Sequence, residues 1–236
     1  MENQWLTTRP ITEQEAAELQ RTFVLKVYGW MAAGLMITGI VALFTIQIPG
    51  LLEILFSSRF VFLGLFVVQL GLVVWLSARV EKMSATTATL VFLGYSALTG
   101  ITLSAIFLVY TAESLASTFF VTAGTFGLMC AYGYTTRRDL SALGSFMMMG
   151  LIGLIIASVV NIFLNSSTVY WITTYVGILI FVGLTAYDTQ KIKMMSGLSV
   201  EGGEVEQKGA IIGALTLYLD FINLFLLLLR VMGNRR

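Results

Sequence analysis

Two aspartates stand where an acid is costly. Asp220 lies near the middle of a hydrophobic span running from about Ala210 to Met232. Asp188 ends the span before it, in Thr185-Ala186-Tyr187-Asp188-Thr189-Gln190-Lys191. An ionised carboxylate at the centre of a membrane helix costs ~2.5–3.5 kcal/mol, so by default such a side chain faces protein or water rather than lipid. Gly213, Thr216, Asp220 and Asn223 recur at steps of three and four, which puts them on one helix face, while Leu215, Leu219, Leu226 and Leu229 fall on others. A helix so marked should be surrounded by partners, with its polar stripe toward the bundle axis. For Asp188 a plainer reading stands beside this one, an interfacial i,i+3 pair with Lys191. With Asp220 on the next helix, however, the two carboxylates can face one cavity. A cation is then the natural third party, and Arg79, at the inner end of the second span, is the leading protein candidate. Arg79 reads equally as a snorkelling residue that sets topology.

The chemistry open to such a pair is narrow. Two carboxyls facing each other in a poorly solvated site share a proton and titrate as a unit. With that proton gone, their oxygens are hard ligands suited to Ca²⁺, so protons and calcium would compete for one site. No histidine occurs anywhere in the chain. This excludes Ser-His-Asp catalysis, the H-E-x-x-H zinc site and imidazole-ligated haem, and it leaves the aspartates as the evident switch near neutral pH. Cys130, the single cysteine, can form neither an internal disulfide nor a thiolate cluster, and reads as an inert packing residue. A net charge of +1 gives no sign of nucleic acid or of an acidic substrate. These residues call for no cofactor.

The elements that must position these residues follow from composition. Hydrophobic residues make up 57% of the 236 and charged residues 11%, with a mean hydropathy of +0.87. A soluble domain carries roughly a quarter of its residues charged, so this chain is a polytopic membrane protein. At ~20 residues per crossing, seven helices would take about 140 positions. Charges and turn residues mark seven spans: up to about Ile48, stopped by Pro49-Gly50; Phe60 to Ala78; one within Ala85 to Tyr110; one within Leu115 to Tyr134; two between Leu140 and Tyr187, divided at Asn165-Ser166-Ser167; and Ala210 to Met232. The runs are continuous and lack period-two alternation, so they are helices and not barrel strands. The fold class is therefore an all-α membrane protein, with residues 1–22 a polar N-terminal segment and 23–236 one seven-helix domain.

Counting Lys and Arg in the connections gives ten on the N-terminal side against four on the other, which places the N-terminus in the cytoplasm. Arg230, Arg235 and Arg236 oppose the count locally and leave a re-entrant seventh span as the lesser alternative. Thr12-x-x-Glu15 is a capping box that could open a short amphipathic surface helix. In the third span Gly94, Ser96, Thr99, Gly100 and Ser104 form a small-residue set, read first as close helix packing and second as pore lining. Asn161 could hydrogen-bond between helices, and Met147-Met148-Met149 read as core or lipid-facing filler. The polar loop with Gly202-Gly203, Glu201, Glu204 and Glu206 precedes the seventh span.

The Tyr187-Asp188-Thr189-Gln190 segment closing the sixth span, followed after a polar loop by Tyr218-Leu219-Asp220-Phe221-Ile222-Asn223-Leu224-Phe225 inside the seventh, resembles the transmembrane Bax inhibitor motif family in its bacterial branch. The likeness covers the chain from about Phe23 onward. It implies six helices wrapped around a central seventh and a pH-sensitive calcium leak in the bacterial cytoplasmic (inner) membrane. It also implies that Asp188 and Asp220 are the proton-sharing pH sensor, with Arg79 latched to the first of them. Thr216 and Asn223 are the supporting stripe. The expected partners are the lipid bilayer and calcium, without nucleic acid. The chain is not expected to be an enzyme. An intramembrane aspartyl protease also pairs a Tyr-Asp with a second aspartate, but Leu217-Tyr218-Leu219 stands where that family has Gly-x-Gly, and prolines occur only at Pro10 and Pro49. A proton-coupled transporter would use buried acids equally well, although no paired Gly/Pro-broken helices mark an inverted repeat. A modulator of other membrane proteins is a third alternative.

Overall fold

The computed structural model describes residues 12–48, 50–52, 59–197 and 202–236. Pro49, Glu201 and the first eleven residues, on which part of the reading above rests, lie outside the described residues. Seven helices are long and apolar enough to cross a membrane. They are α1 (Glu13–Thr45), α2 (Arg59–Arg79), α3 (Ala85–Leu103), α4 (Ala112–Thr135), α5 (Ser141–Leu164), α6 (Ser167–Met195) and α7 (Gly203–Met232). A 3-10 turn, Val80–Lys82, joins α2 to α3, and a single helical turn, Ile106–Val109, continues α3. Among the described residues no strand forms beyond one isolated bridge, Tyr110 to Arg235.

Local chemistry sets the boundaries. The Thr12 hydroxyl accepts from the Glu15 N–H at 3.3 Å and the Glu15 carboxylate accepts from the Thr12 N–H at 2.9 Å, a complete capping box. It does not open a separate surface helix. It opens α1 itself, which runs unbroken for 33 residues. Between α5 and α6, Asn165 takes the left-handed conformation at φ 49°, a position asparagine tolerates well. Asn161, expected to bond between helices, instead accepts from the Ser166 N–H at 2.9 Å and closes this same turn.

Two helices are longer than the hydropathy suggested. α6 continues past Asp188 to Met195, so that aspartate lies inside a helix instead of at its end. α7 begins at Gly203, seven positions before the apolar run, because Glu204 and Glu206 occupy its first turn, where the helix dipole favours acids. The glutamates thus belong to a helix start, and they tie it down. Glu204 accepts from the Ala85 N–H at 2.9 Å, and Glu206 pairs with Lys26 at 3.1 Å. Gln20 donates to the Lys193 carbonyl at 3.3 Å, holding α1 to α6 on the same side.

At the opposite end, the Thr111 N–H donates to Asn234 O at 3.2 Å and the Arg236 N–H to Val109 O at 3.0 Å. The C-terminus is therefore fastened beside the α3–α4 connection. α7 starts next to the beginning of α3 and finishes next to its end, so it crosses the whole bundle and does not re-enter.

α7 is the most buried of the seven helices and α5 the least. α1, α3, α4 and α6 all pack on α7, whereas α5 is carried chiefly on α6 and α2 on α3. Four helices thus pack on the seventh, not the six that the resemblance implies, and α2 and α5 are carried on α3 and α6. The composition of α5 fits this position, with Phe146, Met149, Ile156 and Phe163 turned outward, and an element apolar all round belongs against lipid. Of the three methionines, Met148 and Met149 are exposed, while Met147 packs against Gly183.

The small-residue set of α3 divides. A Cβ on Gly100 would lie 2.6 Å from the Thr38 carbonyl oxygen, so α1 and α3 touch backbone to backbone there. Gly94 faces open space. Ser96, Thr99 and Ser104 are buried and return their hydroxyls to their own helix, donating to Phe92 O, Tyr95 O and Ile101 O. The set serves close packing.

Candidate functional site

The two aspartates meet. α6 and α7 lie against each other along much of their lengths, and this brings the Asp188 and Asp220 carboxyls to hydrogen-bonding range. Both are buried, at 8% and 5% exposure. When both are ionised neither can donate, and Asp220 Oδ2 is left buried without a partner. A buried, unsatisfied oxygen is costly, and a single proton held between the two carboxyls removes the deficit.

The surroundings supply little else that is polar. Lys191, one turn along α6, is the cation whose field Asp188 feels, but it is exposed and forms no ion pair with Asp188 among the described residues. The interfacial-pair reading of Asp188 therefore does not describe this geometry. Cys130 of α4 is buried within electrostatic reach of Asp220, and Thr189 stands beside both Cys130 and the Tyr28 hydroxyl of α1. Thr189 Oγ1 is itself buried without a hydrogen bond. α4 comes this close to α6 because Gly133 sits directly against the Ala186 carbonyl, where no side chain would fit.

The remaining residues of the sequence reading lie apart from the pair's hydrogen bonding. Thr216 donates to Ile212 O at 3.0 Å and Asn223 to Leu219 O at 2.8 Å, each one turn back on α7. Arg79, at the end of α2, is exposed and forms no hydrogen bond or ion pair among the described residues. The structure brings the aspartates together and leaves Arg79 away from them.

Of the residues near the pair, sequence reasoning missed Tyr28, read Cys130 as packing alone, and quoted Thr189 within the motif without a role of its own. Tyr28 and Cys130 come from helices remote in sequence, and no spacing links them to the aspartates. Thr189 is adjacent to Asp188, so it alone carried a signal. Tyr218, two residues before Asp220, anchors the other flank of α7. It is fully buried, its hydroxyl lies 2.6 Å from that of Thr38, and the rings of Phe92 and Tyr95 stand edge-on to it at 5.8 and 5.9 Å. With Thr38 also donating to Ser96 O at 2.9 Å, these contacts fix the rotation of α7 about its axis and hence the direction of Asp220.

Residues 20–236 match the model of a family described as inhibitor of apoptosis-promoting Bax1. The chain belongs to the Bax inhibitor family. Among bacterial members, it is 54% identical to the inner membrane protein YbhL of Escherichia coli strain K12, over 94% of this chain and 95% of that one. A Borreliella burgdorferi protein is 46% identical over 95% of this chain and 97% of its own length. YrjE of Lactococcus lactis is 38% identical over 89% and 90%. The whole seven-helix unit is thus the part shared with other Bax inhibitor family members, and this member is a multi-pass membrane protein.

Proposed function

We propose that this protein is a pH-sensitive cation leak, with calcium the ion carried, gated by the proton that Asp188 and Asp220 share. The observation that supports it is the meeting of two buried carboxyls from adjacent helices, with one oxygen lacking a donor. While the proton is held, the oxygens satisfy each other. Without it, two anionic oxygens face one another with no cation bonded to them, and a metal ion from solution is the partner that fits. No group of three or more acidic, cysteine or histidine side chains gathers among the described residues. Ca²⁺ takes 6–8 oxygens in a firm site, so a pair of carboxylates suits an ion in transit. Lys191 on α6 and Cys130 on α4 are titratable groups within electrostatic reach of the pair, and Tyr28 on α1 stands next to Cys130. Arg79 of α2 is exposed and makes no ion pair with either aspartate among the described residues. The membrane is the bacterial cytoplasmic one, by analogy with the inner-membrane relative, and the surplus of basic residues puts the N-terminus in the cytoplasm. The activity is passage of an ion, without catalysis.

The test is calcium flux into liposomes carrying the purified protein, measured across a pH series. Asp220→Asn keeps the size of the side chain while removing the shared proton's second site, and the pH response should disappear. Flux with the wild-type pH profile in this variant would overturn the assignment.

A further inference from the structure

We propose that the crevice between α1 and α4 is a lipid site, which holds an acyl chain of an anionic phospholipid with its headgroup drawn to Arg21 and Lys193. The two helices both pack on the bundle yet make few direct contacts with each other. Between them runs a cavity of about 770 Å³ walled by apolar side chains, with Leu35 and Phe119 at one end and Arg21 and Tyr134 at the other. From Arg21 to Leu35 it follows fourteen residues of α1, about 21 Å, which is one leaflet's hydrocarbon together with its headgroup zone. Ala123 and Gly127 leave the crevice open on the α4 side, and a Cβ on Gly127 would meet nothing within 4 Å.

The dimensions and charge select the occupant. The run of about 21 Å along α1 suits one extended acyl chain together with its headgroup. Arg21 is exposed and has no hydrogen bond or ion pair among the described residues. Lys193 reaches the same end, donating to Tyr134 O at 2.9 Å and lying 5.2 Å from the centre of the Tyr134 ring. Two cations at the mouth of an apolar slot between membrane helices complement a lipid phosphate and its anionic head. The inner wall of the slot includes Cys130 and Tyr28, so the bound chain would also seal the aspartate pair from its lateral side.

The test is native mass spectrometry of the full-length protein released from nanodiscs of equal parts phosphatidylglycerol and phosphatidylcholine. The wild type should retain one phosphatidylglycerol under activation that strips phosphatidylcholine. Arg21→Gln, at an exposed position, should reduce that retention about fivefold. Gly127→Leu, whose Cβ meets nothing within 4 Å and whose longer side chain takes up space in the slot, should abolish it. Equal retention of the two lipids by the wild type would overturn the proposal, as would undiminished phosphatidylglycerol retention in either variant.

Discussion

Replacing Gly100 by alanine is the sharpest probe of how this bundle is held. The added Cβ would lie 2.6 Å from Thr38 O and 2.9 Å from Val41 Cβ. Ordinary van der Waals contact begins at 3.4 Å, so α1 and α3 must separate by about 0.8 Å along the first of these directions. The carbonyl is part of a helix backbone and cannot swing aside as a side chain end could. Overpacking of this kind costs about 1–3 kcal/mol, against which stands a gain of up to ~1 kcal/mol from replacing a helical glycine. Gly94→Ala, on the same helix, brings that gain alone, because nothing lies within 4 Å of its Cβ. Thermal unfolding in one mild detergent should therefore separate the two variants by the clash itself, about 1–3 kcal/mol, with Gly100→Ala the less stable. At roughly 2–4 °C per kcal/mol for a chain of this size, the midpoints should differ by about 2–12 °C. Midpoints that coincide, or a Gly100→Ala protein more stable than Gly94→Ala, would refute the backbone contact between α1 and α3.

Two further outcomes can be checked directly. Asp139, in the connection before α5, accepts from the Ser141 N–H at 2.9 Å, and its hydrogen bonds to Ser141 hold its carboxyl below the usual range. A depressed carboxyl stabilises the fold above its unfolded-state range and loses that contribution as the pH falls through its folded value. Asp139→Asn should accordingly narrow the difference in melting temperature between neutral and strongly acidic buffer, and an unchanged difference would show that this hydrogen bond contributes nothing. A cysteine placed at Arg236 in a Cys130→Ser background should react with an impermeant maleimide from the side opposite the N-terminus, as a full crossing by α7 demands. Labelling of both termini from one side would contradict the fold.

The helices were legible because lipid enforces simple rules. Span positions follow from the absence of charge, and the break at Asn165-Ser166-Ser167 lay where a left-handed turn residue permits it. The extensions of α6 and α7 were hidden, since polar helix ends outside the hydrocarbon carry no hydropathy signal. Asp220 was readable as a costly residue, and its meeting with Asp188 was expected from their succession on adjacent helices. Gly100 was readable as a close-packing residue from the small-residue set of α3, whereas the role of Tyr218 depended on the rotation of α1 and α3 about their own axes, which no local pattern encodes. The same holds for Thr216 and Asn223. Shared helix face suggested a common stripe, yet each hydroxyl or amide was satisfied within its own turn, the nearest acceptor available in an apolar setting.

The length of α1 has a mechanical consequence. Thirty-three residues make a rod of about 50 Å, whereas the hydrocarbon layer is only ~30 Å thick. Some twenty ångströms of the same helix therefore lie beyond the hydrocarbon, most of it in the headgroup zone and the remainder, about 5–10 Å, clear of the bilayer. A force applied near Glu13 would act on a lever whose far arm bears Thr38, the residue in contact with Tyr218. A tilt of α1 would thus bear, through Thr38 and Tyr218, on the helix that carries Asp220.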